Sequence, residues 1–308
     1  MSKYKDMKFT ADMFKKLDDS EKNSEFIAIE SKTFVQDAWG RFKENKLAMM
    51  GLIVITIVIL LAIFVPMLSS YTYYGQNVDL RNANPSLAHW FGTDKHGRDI
   101  FVRIMYGGRI SLIIGFASAA INLVIGIIYG GISGFFGGQV DNIMMRIVDI
   151  IYSLPSMLYV IMILIVFGSG PQSMLIAISV TSWVQMARQV RTQVMSLKEM
   201  EFSLAATMIG ASKTRILFRH LIINALGPII VCLTMMVPSA IFTEAFLSFV
   251  GIGINPPLAS WGALANEARG VIFTYPIQII WPVVAICISI LSLNFIGDGI
   301  GEALEPKR

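Results

Sequence analysis

Residues 47–68 read LAMMGLIVITIVILLAIFVPML, 22 consecutive residues without a charged side chain. A helix of about 20 apolar residues is long enough to cross the ~30 Å hydrocarbon core of a bilayer. Soluble domains seldom contain such a run, because they have no apolar solvent in which to place it. This stretch therefore predicts a first transmembrane helix at residues 47–68.

Five further apolar runs follow, and together with the first they predict an all-α polytopic membrane protein with six transmembrane helices. The fourth run is the weakest, since Thr181, Ser182 and Gln185 interrupt it. The hydrophobic fraction of 55% agrees with a membrane protein. The five runs are approximately 111–136, 150–167, 173–190, 226–250 and 277–296.

The distribution of Lys and Arg predicts the orientation of these spans, because cytoplasmic loops carry an excess of both. Six spans place both termini on one side. A cytoplasmic N-terminus puts 19 of the 25 Lys and Arg residues on the cytoplasmic side. We therefore expect cytoplasmic termini, and the following segments: a cytoplasmic N-terminal segment 1–46, the first span 47–68, an extracellular loop 69–107, a core 108–300 with a cytoplasmic loop 191–225, and a cytoplasmic tail 301–308.

Several function classes are disfavoured by what the sequence contains. A formal charge of +4 without a basic stripe argues against nucleic-acid binding. The nearest approach to a phosphate-binding G-x-x-x-x-G-K-[ST] loop is Lys213-Thr214, but its two glycines are replaced by Thr207 and Ser212. With two cysteines inside apolar runs and three scattered histidines, we expect neither catalytic residues nor a metal site.

Polar residues within or beside the spans are candidates for a transport pathway or gate, because ionisable groups in a membrane are costly. Glu244 is the clearest, and Asp298 and Asn294 near the end of the last span are the others. A pathway-lining role and a structural hydrogen-bonding role are equally compatible with Glu244. An ion-driven carrier would need several such groups near the midplane, which the sequence does not provide.

Two external segments contain turn and anchor signals. In HWFGTDKHGRDIFVR (89–103), Asp94 lies in a predicted tight turn and Asp99 is placed to cap the following helix. In NPPLASWGALANEARG (255–270), Trp261 is interpreted as an anchor at the membrane interface.

Glycines recur at every fourth position of the second span, at Gly126, Gly130, Gly134 and Gly138. Such spacing places small residues on one face of a helix, where a second helix can approach closely. We expect this face to pack against another span.

Residues 201–220 read EFSLAATMIGASKTRILFRH, too polar to span a membrane and too regularly patterned for a slack linker. One helical face of this segment carries mostly small residues: Ala205, Ala206, Ile209 and Ser212. Gly210 interrupts the helix-forming pattern. A helix lying on the membrane surface would need bulky anchors on that face. The small residues instead favour docking into a groove of a partner, with Glu201 ahead of them and four cationic positions behind, at Lys213, Arg215, Arg219 and His220.

This loop and several other segments resemble one family. Ala205-Ala206, three residues and then Gly210 are similar to the cytoplasmic "EAA" loop of ATP-binding-cassette importer permeases. In the same order, other segments resemble the peptide and nickel permease family, and among its members the permeases of oligopeptide importers most. These segments are FKENKLAMMGL (42–52), GTDKHGRDIFVRIMYGGRISL (92–112), FGGQVDNIMMRIVDI (136–150), RILFRHLIINALGP (215–228), TEAFLSFVGIGINPPLASWG (243–262) and NFIGDGIGEALEPK (294–307).

The resemblance implies a type I importer fold in the plasma membrane of a prokaryotic cell. It also implies a second homologous permease, two ATPase subunits that bind ATP and Mg²⁺, an extracellular peptide-binding protein, and no cofactor in this chain. The 191–225 loop would couple to the ATPases. Two departures are Leu204, where the motif has Glu, and Ile223, where the family usually has Pro.

Substrate identity stays open at this point. Oligopeptides are expected, and dipeptides, nickel or another small solute are the alternatives within the family. An ion-driven secondary carrier and a membrane scaffold are alternatives from other classes.

Overall fold

The computed structural model describes residues 33–305, and the regular secondary structure of this range is helical. Most of the predicted segment 1–46 and the last residues of the tail 301–308 lie outside it. The helices are α1 (Phe34–Glu44), α2 (Lys46–Leu68), α3 (Ile100–Phe136), α4 (Gly138–Ser153), α5 (Ser156–Phe167), α6 (Pro171–Lys198), α7 (Glu201–Met208), α8 (Lys213–Arg215), α9 (Ile222–Asn224), α10 (Leu226–Val250), α11 (Trp261–Arg269) and α12 (Ile277–Leu304), with a 3₁₀ turn at Val78–Leu80 and a π-helical stretch at Ile216–Leu221.

The chain divides between residues 37 and 38 into two compact units. Residues 38–308 form the larger unit, which contains the helical core. The described part of the smaller unit, residues 33–37, holds the start of α1, where the main chain and side chain of Thr33 exchange hydrogen bonds with those of Gln36.

Four helices in the described range are long and apolar enough to cross a membrane: α2, α3, α10 and α12. The pair α4–α5 gives a fifth span if it is counted as one. Helix α6 has the length of a span, but its hydroxyl and amide side chains make it less apolar. The prediction of six spans with cytoplasmic termini therefore stays a prediction, while the multi-span helical class is confirmed.

Several boundaries differ from those read from hydropathy. Helix α3 begins at Ile100 rather than near residue 111, so the expected loop 69–107 ends inside a helix. Helix α12 continues to Leu304, past the predicted end near residue 296. The continuous apolar runs end where charged residues interrupt them, but the helices continue through these positions, which are Arg103 and Arg109 in α3 and Asp298 and Glu302 in α12.

The third apolar run is not one straight helix, contrary to the prediction for residues 150–167. Helices α4 and α5 meet at an angle of 83°. The break lies at Leu154–Pro155, where Leu154 has an extended backbone with φ −101° and ψ 146°. Proline disfavours a helical conformation in the residue before it, which accounts for the position of the break.

The glycine face of α3 packs on α6, as the spacing predicted. A Cβ added to Gly126 would collide with Met186, and one added to Gly130 would collide with the carbonyl oxygen of Ala187. A Cβ added to Gly134 would collide with the carbonyl oxygen of Arg191. Gly138 does not belong to this contact, because it begins α4 with a positive φ and open space around it.

Candidate functional site

Helix α7 lies directly after α6, and two of its side chains fix it to the core. Helix α6 ends at Lys198, whose Nζ donates a hydrogen bond of 2.6 Å to the carbonyl oxygen of Phe135 at the end of α3. After a two-residue turn, α7 places Ser203 and Ala206 in the protein interior. Ala205 and Glu201 face outward. The position of α7 is therefore tied to the ends of both α3 and α6.

Gly210 terminates α7 in a Schellman motif. The N–H of Gly210 donates to the carbonyl oxygen of Thr207 at 3.0 Å, and the N–H of Ala211 donates to that of Ala206 at 3.1 Å. This motif needs a left-handed residue after the helix, and Gly210 has φ +79°. An added Cβ would meet no atom of this chain within 4 Å. Backbone conformation therefore explains the glycine without any contact to a partner.

Large apolar side chains are exposed on α7, which corrects the expected docking stripe of Ala and Ser. Leu204 and Met208 are four residues apart on one helix face, and Ile209 follows at the helix end. Their exposed fractions are 56%, 89% and 85%. The predicted stripe failed because α7 ends at Met208, so Ile209 and Ser212 do not continue its helical face. We call Leu204, Met208 and Ile209 the α7 apolar patch.

The cationic positions follow the patch on a separate helical turn. Ser212 caps this turn by accepting from the N–H of Arg215 at 3.4 Å. Ile216, Leu217 and Leu221 anchor it in the core. Lys213, Arg215 and Arg219 are exposed, and His220 is half-buried. The predicted coupling residues thus form one continuous segment, in which the apolar patch precedes a basic turn.

On another part of the molecule, two buried arginines and two half-buried acids form a cluster, which we call the ion cluster: Asp94, Arg98, Arg103 and Glu267. Arg103 is 1% exposed and donates to Asp94 at 2.6 Å and to Glu267 at 2.8 Å and 3.0 Å. Arg98 also donates to Asp94 at 2.6 Å and contacts Glu267. The charges of the two arginines and the two acids cancel, and the cluster joins the 89–103 segment to α11.

The electrostatics of Asp94 follow from this arrangement. Burial alone would raise the pKa of its carboxyl group. The guanidinium groups of Arg103 and Arg98 and two backbone N–H donors outweigh burial and lower that pKa below its ordinary value. Asp94 is therefore a structural carboxylate that stays ionised at neutral pH.

Asp99 performs the capping role predicted for it. Its carboxylate accepts from the N–H of Val102 at 2.8 Å at the start of α3. The second carboxylate oxygen lies 2.8 Å from Nδ1 of His89. His89 is buried, so it serves to hold this capping group in place.

Trp261 is buried, so the interpretation as an interfacial anchor was wrong. Its exposed fraction is 2%, and its indole N–H donates to the carbonyl oxygen of Ile104 at 3.0 Å. Gly108 of α3 leaves the space into which the ring packs. Trp261 therefore joins α11 to α3, a role that the residue type alone does not distinguish from an interfacial one.

Glu244 is fully buried and is held between helices. It accepts hydrogen bonds from Ser111 of α3 at 2.7 Å and from Ser248 of its own helix α10 at 2.8 Å. Of the two roles considered for this residue, the geometry favours hydrogen bonding. Asp298 is exposed and Asn294 is half-buried on α12, four residues apart, and neither is among the hydrogen-bond partners of Glu244.

Sequence reasoning missed Arg98, Arg103 and Glu267. Glu267 lies 164 residues after Arg103, so pattern alone could not pair them. The two arginines near Asp94, Arg98 and Arg103, were visible in the sequence. They could have suggested a second carboxylate, because one acid does not balance two arginines.

Comparisons with known proteins agree with this architecture. Residues 122–308 match the family described as binding-protein-dependent transport system inner membrane component. Residues 33–85 match the N-terminal transmembrane domain of oligopeptide transport permease C.

Curated relatives match over nearly their whole length. The chain is 48% identical to the oligopeptide transport system permease protein OppC of Bacillus subtilis, over 92% of this chain and 93% of the relative. It is 44% identical to the dipeptide transport system permease protein DppC of the same organism, over 93% and 91%. It is 40% identical to OppC of Escherichia coli K12, over 92% and 95%.

Among solved structures, a chain of the MetNI methionine ABC transporter in an inward-facing conformation has a similar fold. The TM-score is 0.52 at 21% identity, over 67% of this chain and 97% of that one. The fold is thus that of a type I importer permease. The chain is a multi-pass protein of the prokaryotic plasma membrane and belongs to the family of binding-protein-dependent transport system inner membrane components.

Proposed function

We propose that this chain is the permease subunit of an ATP-driven importer of oligopeptides and that it forms half of the translocation pathway. The observation that carries the proposal is the α7 apolar patch, set between the end of α6 and a basic turn in a chain of this family. Two relatives at 48% and 40% identity are named as oligopeptide permeases, which supports the substrate class.

Bulky apolar side chains of the kind in this patch also suit a helix on the membrane surface. We propose a protein partner instead because residues 201–220 resemble the cytoplasmic loop through which importer permeases of this family contact their ATPases. Large apolar side chains exposed to water cost free energy that burial recovers, by about 1.5–3 kcal/mol for each fully buried Leu, Ile or Met. The neighbouring Lys213, Arg215 and Arg219 can pair with acidic side chains at the rim of the same groove. In our proposal the partner is an ATPase subunit, and Glu201–His220 is the coupling segment.

The remaining partners complete a transporter whose chemistry lies outside this chain. A second homologous permease supplies the other half of the pathway, and an extracellular binding protein delivers the peptide. Two ATPase subunits bind ATP and Mg²⁺ and hydrolyse the nucleotide, while this chain catalyses no reaction. ATP binding shifts the spans between inward-open and outward-open states by its differential affinity for the two.

Dipeptides are the second candidate substrate, because a relative at 44% identity is named as a dipeptide permease. Nickel and other small solutes are further alternatives within the peptide and nickel permease family. An ion-driven carrier is the alternative from another class, and a test must separate it from the importer.

The test is uptake by the complete transporter in proteoliposomes: this chain, the second permease, both ATPases and the binding protein. We expect ATP-dependent and binding-protein-dependent uptake of labelled tri- to pentapeptides, with slower uptake of dipeptides and nickel. Uptake by this purified chain alone, driven by a proton or sodium gradient, would overturn the proposal.

Two variants with a matched control test the coupling segment. Met208→Glu and Ile209→Glu should release the ATPases during purification and abolish uptake, because a buried, unpaired carboxylate replaces an apolar contact. Leu87→Glu makes the same change at a 98% exposed residue of the 69–99 segment and should retain the ATPases. Full uptake and normal ATPase recovery in both α7 variants would place the motor contact elsewhere.

A further inference from the structure

The strongest feature that no role above explains is an open cavity of about 460 Å³ at the break between α4 and α5. One wall is the non-helical segment at Leu154–Pro155 with the first turn of α5, and the other is the middle of α6. The volume is within the range of small-molecule sites, about 300–1,000 Å³. The cavity is therefore large enough for a few residues of an extended peptide.

The depth of the cavity follows from the length of α6. Thr181 lies ten residues after Pro171, and Gln185 lies thirteen residues before Lys198. At 1.5 Å per residue these positions are about 15 Å and 20 Å from the ends of the helix. If α6 crosses the membrane, as the six-span topology requires, the cavity lies near the bilayer midplane.

A helix break at that depth needs a polar environment. In hydrocarbon, unpaired backbone groups cost several kcal/mol each, so broken helices occur where they are buried in protein or line a water-filled cavity. Leu154, Pro155 and Ser156 are exposed in this chain rather than buried. An exposed helix break at this depth is therefore expected to line a water-filled path.

Seven of the eleven residues that line the cavity in the described range have hydroxyl or amide side chains, four are apolar, and none is charged. Tyr159, Ser182 and Gln185 come from both walls, and Gln185 is exposed toward the open side. Such groups donate to and accept from amides, which is the chemistry of a peptide main chain.

We propose that this cavity is a transient binding site for the main chain of the transported peptide, with Gln185, Ser182 and Tyr159 as the contacting groups. The inference rests on the proposed importer function and adds a site to the pathway, for which Asp298 and Asn294 stay predictions. The lining is uncharged, and the neighbouring Arg188, which lies over the ring of Tyr152, is paired with Asp149. We therefore expect the site to accept peptides with acidic and with basic side chains.

The test uses the complete transporter in proteoliposomes. Gln185→Leu should reduce peptide uptake about two- to twelvefold, the effect of losing a hydrogen bond worth ~0.5–1.5 kcal/mol. Gln172→Leu is the matched control, since it makes the same change at an exposed residue of α6 outside the cavity lining and should leave uptake unchanged. Assembly and basal ATP hydrolysis should stay at the wild-type level in both.

Charge variants give a readout that a structural role would not produce. Gln185→Lys should slow uptake of a lysine-rich tripeptide more than that of a glutamate-rich one, and Gln185→Glu should have the opposite preference. The wild type should transport both at similar rates. Uptake at the wild-type rate by all three Gln185 variants would overturn this site. Absence of peptide uptake by the wild-type complex would overturn the proposed function instead.

Discussion

Gly210 shows how a single backbone angle decides between two explanations that the sequence left open. A glycine at this position fitted either a left-handed turn or close contact with a partner. Its φ of +79° and the two hydrogen bonds of the Schellman motif identify the turn. The sequence shows the glycine but not its backbone angle, and a glycine in a helix-forming stretch is compatible with both explanations.

We expect Gly210→Ala to be almost as damaging as Gly210→Val, because an L-residue in the left-handed conformation costs about 1–2 kcal/mol whatever its size. Gly210→Asn should be milder, since Asn tolerates this conformation. The measurement is recovery of the ATPase subunits with the complex, together with peptide uptake. Normal ATPase recovery and uptake in Gly210→Ala, with loss of both in Gly210→Val, would instead indicate steric contact with a partner.

Glu244 illustrates a residue whose type was informative while its role was not. A carboxylate within a span is rare enough to be noticed, yet only the contacts with Ser111 and Ser248 distinguish a helix tether from a pathway group.

For Glu244 we expect Gln to be tolerated, because serine hydroxyls can both donate to and accept from an amide. Glu244→Leu should lower the thermal unfolding midpoint and the yield of the complex, since it removes the acceptor of two buried hydroxyl groups. Thermal unfolding and uptake should be measured on the same preparations. Loss of uptake in a stable Glu244→Gln complex would restore the pathway role.

At the scale of the helices, hydropathy and glycine spacing succeeded where lipid or close packing dictates composition. Helices α2 and α10 begin and end within a residue of the predicted bounds. The early start of α3 and the break in the third run were missed, because both are set by contacts and by Pro155 rather than by apolarity.

The close approach of α3 and α6 predicts that Gly130→Ala destabilises the protein by roughly 1–3 kcal/mol, because the added Cβ overlaps the backbone of Ala187. Gly40→Ala is the control. This exposed glycine lies inside α1 with no atom within 4 Å of an added Cβ, so the substitution should be neutral or stabilising by up to ~1 kcal/mol. Equal unfolding midpoints for the two variants would contradict tight packing between α3 and α6.

At the scale of the whole molecule, the order of several short motifs identified the family, and similarity over most of the chain confirmed it. What no linear pattern could supply is the ion cluster, because its members meet only after α3, α10 and α11 have packed together. Long-range pairs of this kind are specified by the fold as a whole.

The orientation in the membrane is a prediction at this scale. In a background where Cys232 and Cys287 are replaced by Ser, Lys213→Cys should be protected from a membrane-impermeant thiol reagent applied to intact cells. Asp79→Cys should react, since Asp79 is exposed in the 69–99 segment. Reaction of the residue 213 cysteine from outside would exclude cytoplasmic placement of the coupling segment.

The glycine contacts between α3 and α6 also have a mechanical consequence. Helix α3 has 37 residues and is therefore about 55 Å long. Gly126, Gly130 and Gly134 bring the two helices into close contact over about two turns, so α3 and α6 cannot slide past each other without collision. Lys198 joins the end of α6, next to α7, to one end of α3, and Arg103 joins the other end of α3 to Glu267 of α11. A displacement of α7 that moved α3 as a rigid body would therefore also move α11.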